Sequence, residues 1–166
     1  MTAKTTAFAD IETQFDDYIG ETVYAHMVTV DRKNRPRARV LIPVWETVDG
    51  NPVGWLATYR TPVKEAHLAN NPNTTFSYWN RKQNSVHIDA TADWIPLEDL
   101  TTRQHVWNLY LNTSPRGAGY PLSNFWTGIE DPKLHMLKLD PWRIQVIRGR
   151  DLRSTLWQAP AEVAVR

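Results

Sequence analysis

The chain has 166 residues, a formal net charge of +1, 22% charged side chains and no cysteine. This length suits one domain with a hydrophobic core, and the near balance of charges disfavours a strongly cationic nucleic-acid-binding protein. Because the sequence contains no cysteine, thiolate catalysis, disulfide scaffolds, thiolate zinc sites and iron–sulfur clusters are excluded.

The N-terminal part of the chain combines one short helix with strands. Apolar residues at three- and four-residue spacing predict an amphipathic helix over residues 8–19, ended by Gly20. β-branched residues then predict three strands, at residues 22–31, 37–47 and 52–59. A polar turn at residues 32–36 separates the first two strands, and Asp49-Gly50-Asn51 predicts a hairpin before the third.

The remainder of the chain begins with a second helix. Thr61-Pro62 predicts its start, because threonine caps helices and proline suits the first helical position, and Asn70-Asn71-Pro72 predicts its end. The later elements are strands at residues 74–79 and 85–95, a helix at 97–111, a loop at 112–123, and strands at 135–140 and 142–147. The last two are either separate strands or one strand broken at Pro141.

About six mostly sequential strands with three inserted helices predict a mainly β fold of α+β character, a small antiparallel barrel with short flanking helices. No sharp shift in composition divides the chain, so we predict one domain over residues 1–166, with a helix in residues 1–20 and a tail in 148–166. Gly117-Ala118-Gly119 does not follow a predicted strand, which argues against a Rossmann dinucleotide site.

Targeting and membrane-spanning segments are not predicted. Residues 1–10 hold no apolar run of signal-peptide length, and the longest apolar stretch, residues 40–45, is far shorter than the roughly 20 residues that cross a bilayer. We therefore expect a cytoplasmic protein with no membrane partner.

Basic and hydroxyl side chains gather around the start of the second predicted helix. Arg37 and Arg39 alternate along one strand and so share a face, Thr58 ends the next strand, and Lys64 lies one turn into the helix. A helix N-terminus with these side chains offers the amide donors and positive charge that a phosphate dianion requires. The alternative is a solvated strand edge beside an ordinary N-cap, and the residues alone favour that alternative.

An ordered series of motifs changes that balance. Residues 35–44, the Asp49-Gly50 turn, the strand end Ala57-Thr58 and residues 62–72 together resemble the pyridoxamine 5′-phosphate oxidase-like family of flavin-binding split barrels. The downstream part, with a strand at 85–94, Trp107-Asn108-Leu109-Tyr110 and a turn at 131–134, is similar to the general stress protein branch. The resemblance spans residues 20–147.

The resemblance implies a split β-barrel that forms a homodimer, with flavin mononucleotide (FMN) at the interface between subunits. It also implies which residues bind the cofactor at its phosphate, beside its isoalloxazine ring and from the second subunit. These residues are Arg39, Lys64 and Thr58 at the phosphate, the backbone of Val40, Leu41 and Ile42 beside the ring, and Ser85 from the second subunit.

The implied activity is a flavin-dependent oxidoreductase acting on a small substrate, with no side chain needed as a catalytic acid or base. Authentic pyridoxamine phosphate oxidases carry a lysine where this chain has Val44 and an arginine where it has Val63. Vitamin B6 oxidation is therefore not predicted, and a deazaflavin is an alternative cofactor. The alternative function is a non-catalytic carrier or stress protein that binds flavin, deazaflavin or haem.

Other types of site are less well supported. His26, His87 and His135 lie on separate predicted strands without a metal-binding spacing, so no metal site is expected, and no serine stands in a Gly-x-Ser-x-Gly setting. Five cations within residues 32–39 would suit a polyanion such as RNA, but a charged turn and the phosphate site account for them, and no nucleic-acid partner is predicted.

The chain has eight tryptophans, which must pack in the core, at an interface or against a flat ligand. A dimer with an aromatic cofactor at its interface would use all three. The sequence does not identify which tryptophans contact the ligand, and Trp79, Trp94 and Trp126 are the first candidates, while Trp107 and Tyr110 are expected in the core or the interface.

Overall fold

The computed structural model describes residues 2–112 and 120–160. Within these ranges the chain forms nine strands, which are β1 (Thr2–Thr5), β2 (Ala25–Val30), β3 (Pro36–Leu41), β4 (Val44–Val48), β5 (Asn51–Thr58), β6 (Asn73–Trp79), β7 (Ser85–Trp94), β8 (His135–Ile147) and β9 (Ser154–Gln158). The three α-helices in the same ranges are α1 (Glu12–Thr22), α2 (Pro62–Asn70) and α3 (Leu100–Asn112), and short 3-10 helices lie at Phe8–Asp10 and Leu122–Asn124.

The strands form one curved sheet in the order β1-β9-β8-β7-β6-β2-β3, and β5 pairs with the first half of β8 and carries β4 on its other edge. All of these pairs are antiparallel except β1 with β9, which is parallel. β3 and β4 follow each other in the chain but do not pair, so the barrel is split between them. The mainly β split barrel predicted from the sequence is confirmed.

Alternation of side chains along the strands builds the core of the barrel. In β7 the side chains of Val86, Ile88, Ala90 and Ala92 are buried while the intervening polar residues are partly exposed. The main core packs against α1, and a second apolar cluster lies beneath α3 and includes Ile42, Val44 and Trp126. The second cluster lies beside the gap between β3 and β4.

Element boundaries differ from the predictions at several places, including the helix predicted from residue 8, where a 3-10 helix precedes α1, and the helix predicted from residue 97, where α3 begins at Leu100. The predicted strand at residues 37–47 is interrupted at Ile42 and Pro43, where β3 ends and β4 begins. The helix does not end at Gly20, because α1 continues to Thr22 and the chain turns at Val23, whose φ is +69°. Pro141 does not break β8, since an irregularity in its register opposite Asp89 and Ala90 accommodates it.

The sequence analysis did not predict β1 and β9, which pair with each other at one edge of the sheet. Residues 113–119 of the predicted loop, including Gly117-Ala118-Gly119, and residues 161–166 of the predicted tail lie outside the described residues. In the described part of the chain, no helix has the length and hydropathy needed to span a lipid bilayer.

Candidate functional site

A cleft of about 210 Å³ opens where β3 and β5 end side by side. Its lining residues come from the chain around β2 and β3, from the end of β5, from α3 and from the segment at residues 120–126. They are Tyr24, Val40, Leu41, Ile42, Ala57, Thr58, Tyr59, Tyr110, Tyr120, Phe125 and Trp126. Val40, Leu41, Ile42 and Thr58, which the resemblance assigns to the cofactor, are thus brought to one cleft.

Aromatic rings in mutual contact form one wall of this cleft. Tyr120 stacks on Phe125 with centroids 5.4 Å apart and an angle of 15° between the rings. Phe125 contacts Trp126 at 5.7 Å, and Trp126 contacts Tyr59 at 5.1 Å. Phe125 and Tyr59 remain about half exposed, so this wall presents apolar faces on which a planar ligand can stack.

Tyr110 fixes the floor of the cleft. Its hydroxyl group donates to the carbonyl oxygen of Ile42 and accepts from the amide of Ala57 at 3.1 Å. Burial raises the pKa of Tyr110, which keeps this hydroxyl group protonated at neutral pH. These two hydrogen bonds connect Ile42, which lies at the split of the barrel, to Ala57 on β5.

Lys64 lies beneath the end of β5 with only 3% of its surface exposed. Its ammonium group donates to the hydroxyl oxygen of Thr58 and, at 2.9 Å, to the carbonyl oxygen of Tyr59. Burial, and secondarily the positive charge of Arg39, lower the pKa of Lys64 to about 8. Because both hydrogen-bond acceptors are neutral, the charge of Lys64 is not compensated by them.

Arg39 is the neighbouring cation. It shares a face of β3 with Arg37, and its Nη1 donates to the hydroxyl oxygen of Thr29 at 3.0 Å. Burial and the charge of Arg37 lower the pKa of Arg39. Among the described residues, none of the ion pairs includes Arg37, Arg39 or Lys64. We call these three residues the cation cluster.

Arg60 lies nearby but differs from the cation cluster. Its guanidinium group forms an ion pair with Glu65 at 2.8 Å and lies over the ring of Trp94, 5.1 Å from the centroid. The start of α2 is as predicted, since the side chain of Thr61 accepts from the amide of Lys64 at 3.3 Å and Pro62 occupies the first turn. This cap holds Lys64 where its side chain reaches Thr58.

Ser85 is not near the cleft of its own chain. It begins β7, opposite Ile147, whereas Trp94 at the other end of β7 pairs with Leu137. The strand has 10 residues, so its two ends are about 30 Å apart. The role implied for Ser85 involves a second subunit and stays a prediction.

The histidines considered as metal ligands do not form a cluster. Asp89, which shares a strand face with His87, accepts instead from Thr75 at 2.7 Å and from Arg143 at 2.9 Å. No group of three or more histidine, cysteine, aspartate or glutamate side chains among residues 2–112 and 120–160 is arranged to hold a metal ion.

Sequence analysis anticipated the site only in part. Of the three tryptophans named as candidates for ligand contact, Trp126 lines the cleft, whereas Trp79 and Trp94 do not. Tyr120 and Phe125 of the aromatic wall were missed, because they lie in and after a segment predicted as loop, where no periodicity marks ligand-facing positions. Thr29 and His67, which support Arg39, belong to separate elements and meet only in the folded chain. The closely spaced aromatic residues after residue 119 were the available signal for the wall.

No protein-family model matches this sequence, and no curated protein matches it. Solved structures match its fold, which is that of the pyridoxamine phosphate oxidase-like split barrels. The general stress protein 26 of Bacillus anthracis str. Sterne is 22% identical, with a TM-score of 0.60 over 84% of this chain and 95% of that chain.

Two further structures define the breadth of this fold. A Clostridium acetobutylicum protein related to general stress protein 26, described as of the pyridoxinephosphate oxidase family, is 16% identical with a TM-score of 0.66, over 93% of this chain and 97% of that chain. HutZ, the heme storage protein of Vibrio cholerae, is 14% identical with a TM-score of 0.59, over 79% and 89% of the two chains. At these sequence identities, the matches show that the fold is shared.

Proposed function

We propose that this protein binds FMN and is an oxidoreductase that acts on a small substrate through the bound flavin. The observation that carries the proposal is the cation cluster, which has no ion pair among the described residues and includes the buried Lys64, directly beside an aromatic cleft. Thr58 and Tyr59 connect them, since both line the cleft and both accept hydrogen bonds from Lys64. A ligand with an anionic end and a planar apolar end matches this arrangement.

The cation cluster fits the phosphate group of FMN. A buried ammonium group without a carboxylate partner is destabilising, and a bound dianion would compensate it. Arg39 uses Nη1 on Thr29 and keeps its other N–H donors for a second partner. Charge-assisted hydrogen bonds of this type are stronger than neutral ones, which favours a phosphate over an uncharged group.

The cleft fits the ring of the flavin. The backbone at residues 40–42 forms one side, and the aromatic wall faces it with apolar surfaces. A bound flavin supplies hydride or electron transfer, and the protein supplies the orientation of the ring. Tyr110 keeps the backbone of Ile42 in place on this side.

The two departures from authentic pyridoxamine phosphate oxidases agree with a different substrate. Val44 is buried in the apolar cluster beneath α3, and Val63 is exposed on α2. Neither contributes a charge, so phosphate binding depends on the cation cluster. Vitamin B6 oxidation is not part of the proposal.

A non-catalytic carrier of flavin, deazaflavin or haem is the second candidate. The heme storage protein HutZ has the same fold, which supports considering haem. In the described residues, tyrosines but no histidine line the cleft, so a haem iron would depend on a phenolic ligand there. Haem also has a planar ring and anionic propionate groups, so the lack of a histidine among the described residues that line the cleft is what favours a flavin over haem.

Titration of the purified protein with FMN and riboflavin tests the proposed site, because riboflavin lacks the phosphate group. We expect FMN to bind more tightly than riboflavin. Replacing both Arg39 and Lys64 with alanine should weaken FMN binding by about 2–5 kcal/mol and leave riboflavin binding nearly unchanged. Arg60→Ala is the matched control, since Glu65 already pairs with Arg60.

Equal affinities for FMN and riboflavin in the wild-type protein would refute the phosphate site. The haem carrier would be supported instead if the protein bound haemin tightly and did not bind flavin. In that case Tyr59→Phe or Tyr120→Phe should shift the Soret band of the bound haemin. For a flavin-loaded protein, bleaching by a nicotinamide or deazaflavin reductant followed by turnover with an acceptor distinguishes an enzyme from a carrier.

We also propose that the protein is a homodimer. Trp79 and Val40 are 65% and 56% exposed and lie on the same outer face of the sheet, because their strands pair in register through β2. A second subunit covering this face would remove both apolar side chains from water. Light scattering tests this proposal. We expect the mass of a dimer for the wild-type protein and the mass of a monomer for Trp79→Glu.

A further inference from the structure

A pair of buried polar residues lies behind Arg39. Thr29 on β2 is 1% exposed and His67 on α2 is 9% exposed, and the hydroxyl oxygen of Thr29 is 2.9 Å from Nδ1 of His67. The same hydroxyl oxygen accepts from Nη1 of Arg39 at 3.0 Å. Thr29 therefore joins β3 to α2, the two elements that carry Arg39 and Lys64.

One direction of this chain of hydrogen bonds satisfies all of its donors and acceptors. A guanidinium group only donates, so the hydroxyl oxygen of Thr29 must accept from Arg39. The hydroxyl group has one proton of its own, and a neutral His67 with Nδ1 unprotonated accepts it. In this arrangement Arg39 donates to Thr29 and Thr29 donates to His67, and both hydrogen bonds of Thr29 are satisfied.

Arg39 requires such support because its surroundings repel it. The charge of Arg37 lowers the pKa of Arg39, and the charge of Arg39 lowers the pKa of Lys64, so both neighbours carry the same sign as Arg39. An arginine side chain has several rotatable bonds, and fixing one costs up to about 2 kcal/mol in conformational entropy. Without a neutral acceptor beneath it, the guanidinium group would turn towards solvent, and its position would have to be restored when an anion binds.

We propose that Thr29 and His67 are positioning residues for the anion site, which hold Arg39 ready for a phosphate group and thereby set the preference for phosphorylated over unphosphorylated ligands. This inference rests on the proposed function. It assigns to two residues outside the cleft a role in selectivity, beyond the packing of α2 on β2.

Thr29→Val and Thr29→Ser test the proposal, because valine keeps the shape of the side chain and serine keeps the hydroxyl group. With FMN and riboflavin as probes, Thr29→Val should lower FMN affinity about 5- to 30-fold and change riboflavin affinity less than about twofold. Thr29→Ser should keep the wild-type preference for FMN. Adding Thr29→Val to Arg39→Ala should cause no further loss, since the residue to be positioned is gone.

His67 provides an independent pair of variants if Thr29→Val does not fold. His67→Asn keeps an acceptor near the position of Nδ1 and should keep the preference for FMN, whereas His67→Leu removes it and should lower the preference.

Equal weakening of FMN and riboflavin binding in Thr29→Val, or an unchanged preference in both Thr29→Val and His67→Leu, would overturn the positioning role. A wild-type protein that does not prefer FMN would instead refute the proposed function itself, so the two failures are distinguishable.

Discussion

The hydroxyl group of Tyr110 on α3 donates to the carbonyl oxygen of Ile42, the residue that directly follows β3. The same hydroxyl group accepts from the amide of Ala57 on β5. Both bonded residues line the cleft, so a side chain from a helix holds the two sides of the split in the barrel at a fixed separation. Rigid support of this kind is what a binding site for a planar ring requires.

Removing this hydroxyl group should destabilise the protein. In Tyr110→Phe the buried carbonyl group of Ile42 and amide group of Ala57 lose a partner, and we expect the free energy of unfolding to fall by about 1–3 kcal/mol. Urea denaturation measures this. Tyr24→Phe, at an exposed tyrosine of the same cleft, should change it by less than about 0.5 kcal/mol. Equal effects in the two variants would contradict the bridging role of Tyr110.

Lys64 should make stability depend on pH in the alkaline range. The pKa of Lys64 is about 8 in the folded protein, below its ordinary value of 10.5, because of burial and then the charge of Arg39. Between these values the unfolded chain binds more protons at Lys64, so the free energy of unfolding rises with pH, by up to about 3 kcal/mol. The full penalty of the buried charge is present below pH 8.

Lys64→Met provides the measurement for that contribution. Without ligand, Lys64→Met should be more stable than the wild-type protein at pH 7, and its advantage should shrink between pH 8 and pH 10. Lys82→Met is the control, since Lys82 is exposed, pairs with Glu21 and has a raised pKa. Parallel pH profiles for the wild-type protein and Lys64→Met would show that the charge of Lys64 is not penalised by folding.

Glycine substitutions at two positions should have opposite effects. A Cβ atom on Gly54 would clash with the indole ring of Trp45. That ring is held in place because its N–H donates to the hydroxyl oxygen of Tyr78 at 2.8 Å. Gly54→Ala should therefore destabilise by about 1–3 kcal/mol. Gly20 lies in α1 with no atom within 4 Å of such a Cβ, so Gly20→Ala should stabilise by about 0.5–1 kcal/mol. Thermal unfolding of both variants tests the difference in sign.

Arg103 on α3 is completely buried, and its guanidinium group forms hydrogen bonds with the backbone. It donates to the carbonyl oxygens of Ile129 and Leu134, which lead into β8. Arg103→Met keeps much of the apolar volume but leaves both carbonyl groups unpaired, and we expect a loss of about 2–4 kcal/mol in urea denaturation. Arg150→Met, at an exposed position, should have little effect. A small effect of Arg103→Met would show that water replaces the guanidinium group.

The sequence predicted those parts of the fold that depend on local pattern. Alternating apolar residues marked β7, and the Thr61-Pro62 pair marked the start of α2 and hence the position of Lys64. The interruption of the predicted strand at Ile42 and Pro43, where β3 ends and β4 begins, was not predicted, because the apolar run around Pro43 continues the pattern of a strand. Strand β9 was missed because its pairing with β8 and the packing of Trp157 against Phe8 are set by tertiary structure.

In the candidate site too, some residues could be predicted from the sequence and others could not. Val40 and Thr58 could be placed from a series of motifs along the chain, whereas Tyr110 was expected only as a core or interface residue. Its bond to Ile42 spans 68 positions in sequence, and the bond of Thr29 to His67 spans 38. Neither separation follows from helical or strand periodicity, since packing of whole elements determines which side chains meet.

The sharing of Thr58 and Tyr59 between the cleft and Lys64 has a thermodynamic consequence. If riboflavin occupied the cleft and inorganic phosphate occupied the cation cluster, both ligands would act on Thr58 and Tyr59. Linkage then requires reciprocity: whatever factor phosphate applies to the affinity for riboflavin, riboflavin applies to the affinity for phosphate. Binding of riboflavin and binding of phosphate would thus affect each other's affinity through the protein, even though no covalent bond joins the two ligands.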